Sequence, residues 1–197
     1  MKNIDSSFRQ MRVIAVLLAV VCVVVSMASL YYAFCSQGRV YVLVGGAVTV
    51  AAVAEKKEYV PVIAKAHVRN FHQLFWTLEP DEKVIKNNIE RALYLVDGSG
   101  KRLYDDLREA DYYAAIVSGN VSQTITVDSI QLNLDRYPFQ FTCWSTEKLL
   151  RTAFVTTRNL VTTGFLRTTG ISTNNQYGFL IEKLQILDNR DIKTQNR

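Results

Sequence analysis

Apolar and polar residues follow three different rhythms along this chain, and each rhythm predicts a different part of the protein. From Val13 to Phe34 no charged residue occurs. A run that is apolar on every side has no face to turn toward water, so it predicts a helix surrounded by lipid. At about 1.5 Å per residue it is roughly 33 Å long, close to the ~30 Å hydrocarbon core of a bilayer. Val13, Leu17, Leu18, Val21, Val24 and Leu30 are the anchor residues within it. Tyr31, Tyr32 and Phe34 stand at its far end, where an aromatic belt belongs. Lys2, Arg9 and Arg12 precede the run and predict a cytoplasmic N-terminus of residues 1–12. The chain beyond the run is then on the opposite side, in the periplasm of a two-membrane bacterium. Ser26-Met27-Ala28 has the form of a signal-peptidase site, but the apolar run continues past it and ends in aromatics. Cys35 follows Tyr32-Ala33-Phe34, which lacks the small residues of a lipid-attachment site.

Residues 35–60 form a junction. Val40–Val44 and Ala47–Ala54 are apolar and β-branched, and Gly45-Gly46 separates them, the signature of a hairpin. Both faces read as apolar, so the hairpin is expected to pack on something else. Tyr41, Leu43, Val48, Val50 and Val53 are its candidate protein contacts.

The second rhythm, with period three to four, begins at Pro61. Ile63, His67, Phe71, Leu74, Phe75 and Leu78 predict an amphipathic helix over Pro61–Leu78. Ile85, Ile89, Leu93 and Val96 predict a second, closed by Asp97-Gly-Ser-Gly100. Leu103, Leu107, Tyr113, Ile116 and Val117 predict a third over about Lys101–Ser118, with Gly119 as its cap. The third rhythm has period two. Ile125 and Val127 alternate in one phase and Ile130, Leu132 and Leu134 in the other, which predicts a bulge near Asp128-Ser129. A tight turn at Asp135–Pro138 leads into Tyr137, Phe139, Phe141 and Cys143. A break is expected at Thr156–Asn159, then a strand over Leu160–Thr169, a loop at Asn174–Gly178 and a last strand over Phe179–Leu187. The polar tail, 189–197, is expected to fray. Helices followed by consecutive strands predict an α+β domain over 61–188, about three helices on a curved four-stranded antiparallel sheet.

Charge narrows the possible partners. The net charge is +5. Lys2, Arg9 and Arg12 against Asp5 supply +2 of it, leaving +3 spread over the remainder without a basic run that reads as a nucleic-acid arm. No direct nucleic-acid contact is expected. The three cysteines, Cys22, Cys35 and Cys143, form neither a disulfide framework nor a Cys-x-x-Cys pair. The two histidines, His67 and His72, lie five apart rather than at the i, i+4 spacing that holds zinc. His67 falls on the apolar face and reads as a core residue. Gly98-Ser99-Gly100-Lys101 lacks the spacing of a phosphate loop. Asp105, Asp106, Glu109 and Asp111 lie beside Arg102 and Arg108 and read as a solvated helix face. No catalytic, cofactor or metal set emerges, and a binding or assembly role remains.

The order of short motifs adds to this. Phe8–Arg12 (FRQMR) precedes the anchor and Val40–Leu43 (VYVL) comes after it. His67–Pro80 (HVRNFHQLFWTLEP), Asn88–Leu95 (NNIERALYL), Ile116–Gln123 (IVSGNVSQ) and Asn175–Glu182 (NQYGFLIE) then succeed one another, with Val127–Ile130 and Tyr137–Phe139 between. This series closely resembles the TraK family of Bacteroides-type conjugative transposons over essentially the whole chain. The resemblance implies a mating-pair-formation component, similar to the single-span inner-membrane assembly protein of type IV secretion systems. It implies a nuclear-transport-factor-like periplasmic domain, no catalytic residues, and contacts with other channel subunits, with itself, and with the bilayer through one helix. The competing expectation is an exported ligand-binding or enzymatic module on the same fold, which requires a pocket around an isolated acid or histidine. A periplasmic chaperone or sensor is a third.

Overall fold

The computed structural model describes residues 2–36, 41–44, 47–50 and 56–196, with side chains over 11–33 and 60–196. The chain divides into two units, Met1–Lys56 and Lys57–Arg197.

The first unit holds α1, Lys2–Ser36. Its stretch Met11–Ala33 has a mean hydropathy of 3.0 and is long and apolar enough to cross a membrane. The side chains of Met11–Ala33 are exposed all round. The Ser26 hydroxyl donates to the Cys22 carbonyl at 2.8 Å and the Ser29 hydroxyl to the Ser26 carbonyl at 2.9 Å. Both hydroxyls are therefore satisfied within the helix, as an apolar surrounding demands. The unit also holds a hairpin, β1 (Tyr41–Val44) and β2 (Ala47–Val50).

The second unit begins with α2, Lys56–Trp76, which starts five residues before the proline expected to open it. α3 covers Glu82–Leu93, with the Asp81 carboxylate accepting from the Lys83 and Val84 amides. This satisfies two of the amides that a helix N-terminus leaves without partners. Asp97-Gly-Ser-Gly100 was expected to close that helix. It opens the next one instead: Asp97 caps α4, Gly98–Glu109. The single helix expected over Lys101–Ser118 is broken at Asp111, whose φ of +56° lies in the left-handed region and starts α5, Tyr112–Ser118. The domain therefore has four helices rather than three.

The sheet is a meander of order β3-β4-β5-β6, antiparallel throughout. β3 is Ser122–Asn133 and β4 is Phe139–Leu150. β5 is Phe154–Thr168 and β6 is Phe179–Asn196. The register of β3 slips between Val127 and Ser129, at the expected phase change. Two expectations fail. The β4–β5 turn lies at 151–153, and Thr156–Asn159 runs inside β5. The tail pairs with β5 as far as Asn196 instead of ending at Leu187.

Phe71 and Phe75 from α2, Ile85 and Ile89 from α3, and Phe141, Leu160, Leu166 and Ile181 from the sheet form one buried core. The helices pack on one face of the four-stranded antiparallel sheet, the α+β arrangement expected.

Candidate functional site

The candidate contacts in the hairpin meet each other by register. Tyr41 lies opposite Val50, and Leu43 opposite Val48. Directly opposed residues share a face, and so do residues two apart on a strand. Tyr41, Leu43, Val48 and Val50 therefore occupy one face of the hairpin. Val53 lies outside the described residues. Among the anchor residues, Val13, Leu17, Leu18, Val21, Val24, Leu30, Tyr31 and Tyr32 are exposed on α1. Phe34 is in the helix, with its side chain outside the description.

The titratable groups fall into two settings. His67 and His72 are both wholly buried. They lie five apart on α2, which is covered over an arc wide enough to bury both. His67 Nε2 lies 3.1 Å from the Leu95 carbonyl. The imidazole of His72 bridges the Val68 carbonyl and the Thr162 hydroxyl, each at 2.7 Å. Burial lowers the pKa of each to about 4, with the backbone hydrogen bond opposing it. Both are neutral structural residues at neutral pH. Cys143, also buried, is raised to about 12 by desolvation, which leaves the thiol protonated and unreactive.

The second setting holds a residue that sequence reasoning missed. Glu147 on β4 is fully buried, and neither carboxylate oxygen has a hydrogen-bond partner. It stands in a cross-strand row that reads Ile125, Glu147, Arg158 and Asp191 from β3 to β6. Arg158 Nε donates to Asp191 at 2.7 Å rather than to Glu147. Burial raises the Glu147 pKa to about 7, Arg158 opposes the rise and Asp191 adds to it. Nearby, the Tyr112 hydroxyl donates to Gln123 Oε1 at 2.5 Å, and Gln123 Nε2 donates to the Trp76 carbonyl at 3.0 Å. Tyr112 itself is raised to about 12 by burial and by the Glu147 charge. Alternation along β4 placed Glu147 on the inner face, and that was the signal available for it. The group is a buried, protonatable acid. It lacks the positioned nucleophile or second base that acid–base chemistry at a substrate requires.

Asp97 ties helix to sheet. It accepts from the Ser99 amide at 2.8 Å, and its other oxygen accepts from the Lys183 amide at 3.2 Å. The Ser99 hydroxyl donates to Asp97 and accepts from the Leu184 amide at 2.9 Å. Lys183, at φ +53°, and Leu184 bulge out of β6 opposite Gly164, so α4 supplies the partners that β5 cannot. The acidic cluster behaves as a solvated face: Asp105 pairs with Lys101 and Arg108 across one exposed turn.

The second unit carries clefts open to solvent. One, of about 160 Å³, lies between α2, α3 and the β5–β6 loop, with Asn70, Arg91, Tyr94 and Gln176 among its lining. The other, of about 440 Å³, lies between α4 and β6, beside Arg102, Leu103, Lys183 and Ile186. Glu147 lines neither. Among the described residues, no cluster of three or more metal-ligating side chains occurs.

No protein-family model matches the sequence, and no curated protein is significantly similar to it. Solved structures are similar in fold. The soluble domain of TrwG from the type IV secretion machinery of Bartonella grahamii superposes with a TM-score of 0.54 at 18% identity, over 66% of this chain and 94% of that one. VirB8 of Agrobacterium tumefaciens gives 0.53 at 8% identity, over 70% and 93%. An IcmL-like type IV secretion protein of Legionella pneumophila gives 0.53 at 10% identity, over 71% and 94%.

Proposed function

We propose that this chain is a structural assembly subunit of a conjugative type IV secretion channel. It is held in the inner membrane by α1, with residues 1–12 in the cytoplasm and the α+β domain in the periplasm. The carrying observation is the combination in one chain of a single apolar span and a domain with the fold of the TrwG and VirB8 structures. The motif series supports the narrower assignment to the TraK type, serving DNA transfer without touching the DNA. A scaffold also fits the chemistry of the domain, where His67, His72, Cys143 and Glu147 are buried and no described cluster gathers a reactive set.

The partners in this role are other channel subunits, and a second copy of the chain through Tyr41, Leu43, Val48 and Val50 of the hairpin and through Val53. Affinity capture of the detergent-extracted chain from donor cells should recover other transfer proteins, and deletion should abolish conjugation. Conjugation that proceeds unchanged in the deletion strain would reject the assembly role. Val48→Lys with Val50→Lys should lower self-crosslinking in membranes, and undiminished crosslinking would remove the hairpin from the contact.

A further inference from the structure

Toward the Leu150 end of β4, one cation stands between two carboxylates on the inner face of the sheet. We propose that Arg158 passes from Asp191 to Glu147 when Glu147 loses its proton, and that this exchange loosens the polar tail of β6. Such an exchange goes beyond the assembly role and does not depend on it.

Glu147 lies directly opposite Arg158, and Arg158 directly opposite Asp191. Directly opposed residues of antiparallel strands have Cβ atoms about 5 Å apart, so rotation of its side chain brings the Arg158 guanidinium to either neighbour. In the structure its Nε donates to Asp191 Oδ1 at 2.7 Å. Neither oxygen of Glu147 has a partner, although the residue is fully buried. That arrangement suits the neutral acid and leaves Arg158 and Asp191 as the charged pair of the row. Once the proton has gone to solvent, the same site holds a negative charge without a donor. A buried charge without a partner is costly, and its attraction to a neighbouring cation is strengthened where water is excluded. The Asp191 side chain is 54% exposed, so water replaces the bond that it gives up. The two carboxylates therefore compete unequally, and the ionised Glu147 takes the guanidinium.

The other charged or titratable groups around Glu147 are committed elsewhere. From β3, Ile125 lies opposite it and offers no charge. The Tyr112 hydroxyl of α5 donates to Gln123. Arg151, in the β4–β5 turn, donates to the Thr156 hydroxyl at 3.3 Å and lies over the Phe154 ring. Burial sets the Glu147 transition near 7, where His67 and His72, lowered to about 4, stay neutral. The tail of β6 is the part that depends on the displaced bond. Every residue from Asn189 to Asn196 is exposed, and Ile192 is left out of the register with β5. The side chains that tie this tail to β5 are Asp188 to Asn159, Asp191 to Arg158 and Thr194 to Thr156. The Arg158 bond stands just before the gap at Ile192. Without it, the last four paired residues, 193–196, open more often.

Hydrogen exchange of the detergent-solubilised full-length chain, read as protection factors at pH 6 and pH 8, tests this. Amides at a strand end exchange by local opening, so the ratio reports the tail rather than the whole domain. Protection over 193–196 should fall about two- to fivefold from pH 6 to pH 8, the change that an ion pair of this exposure carries. Glu147→Gln should keep the pH 6 protection at both values, because a neutral amide does not draw Arg158 away. Asp191→Asn should show the lowered protection already at pH 6, because the tie is absent from the start. Equal protection of the parent at the two pH values, a fall that persists in Glu147→Gln, or parental protection at pH 6 in Asp191→Asn would each overturn the proposal.

Discussion

Two halves of the same sheet face solve the problem of burial differently. Under α2, the inner face presents Phe141 and Cys143 from β4, Leu160 and Leu166 from β5, and Ile181 from β6, packed on Phe71 and Phe75. Toward the Leu150 end of β4, the same face presents Glu147, Thr156, Arg158, Asp191 and Thr194. Glu147 is as buried as Phe141, yet one contributes to the core and the other opposes its own ionised form. Strand alternation decides which face a residue occupies. What stands beside a residue on that face decides whether burial stabilises it, and beside Glu147 the neighbouring strands offer Arg158 and Asp191 in place of apolar side chains.

The comparison breaks most severely in the apolar half. Phe75→Ala removes a fully buried ring that contacts Phe71 and Trp76. A loss of about 3–5 kcal/mol is expected from transfer and cavity effects together. Denaturant unfolding of the detergent-solubilised chain, followed by tryptophan fluorescence, measures it.

The titratable groups give the next effect, with opposite signs on the two sides of neutrality. Glu147 has a folded pKa raised to about 7 from 4.5, so its contribution is fully present below about 4.5 and is lost as pH rises through 7. Glu147→Gln should stabilise the domain by about 3 kcal/mol at pH 8, a gain that vanishes as pH falls toward 4.5. His72 has a folded pKa lowered to about 4 from 6.5. Its contribution is present above 6.5 and is lost as pH falls toward 4, so His72→Gln should flatten the acid limb. Unfolding curves recorded across pH 4.5–8 for the two variants check both signs. If the Glu147→Gln gain were constant with pH, the carboxyl would not be titrating in this range.

Asp97→Ala lies outside both halves and tests the tie between α4 and β6. Loss of an N-cap costs typically about 1 kcal/mol. Here the Lys183 amide also loses its acceptor, so about 1–2 kcal/mol is expected. Hydrogen exchange should quicken at the Lys183 and Leu184 amides while the β4–β5 ladder stays protected.

Much of this architecture was legible in the chain. The apolar run, the three-to-four spacing of Ile63, Phe71 and Phe75, and the phase change at Asp128-Ser129 each carry a periodicity that only one local structure satisfies. The errors occur where a residue has two possible roles. Asp97-Gly-Ser-Gly100 reads as a terminator because glycines end helices, but the Asp97 carboxylate makes the segment a beginning. The polar β6 tail reads as frayed because polarity says nothing of pairing, yet β5 supplies its hydrogen bonds. Glu147 passed unnoticed for a related reason. Among Thr146 and Lys148 it looks like surface, although alternation from Phe141 and Cys143 puts it on the inner face, where it is fully buried.

Asp191→Asn is expected to have the smallest effect on stability and to sharpen the contrast most. Its ion pair with Arg158 is half exposed at the carboxylate, and pairs of this kind contribute about 0.2–1 kcal/mol. The substitution also removes the negative charge that raises Glu147 and releases Arg158 from its partner across the strand. The Glu147 pKa should therefore fall, and less stability should be lost as pH rises through neutrality. At pH 5 the variant is expected to be slightly weaker than the parent, and by pH 8 the difference should shrink or reverse. Carboxyl carbon NMR of Glu147 in the two proteins reads the shift directly. A Glu147 midpoint that stays near 7 in the variant would mean that burial alone sets it, and that the polar row does not act as a unit.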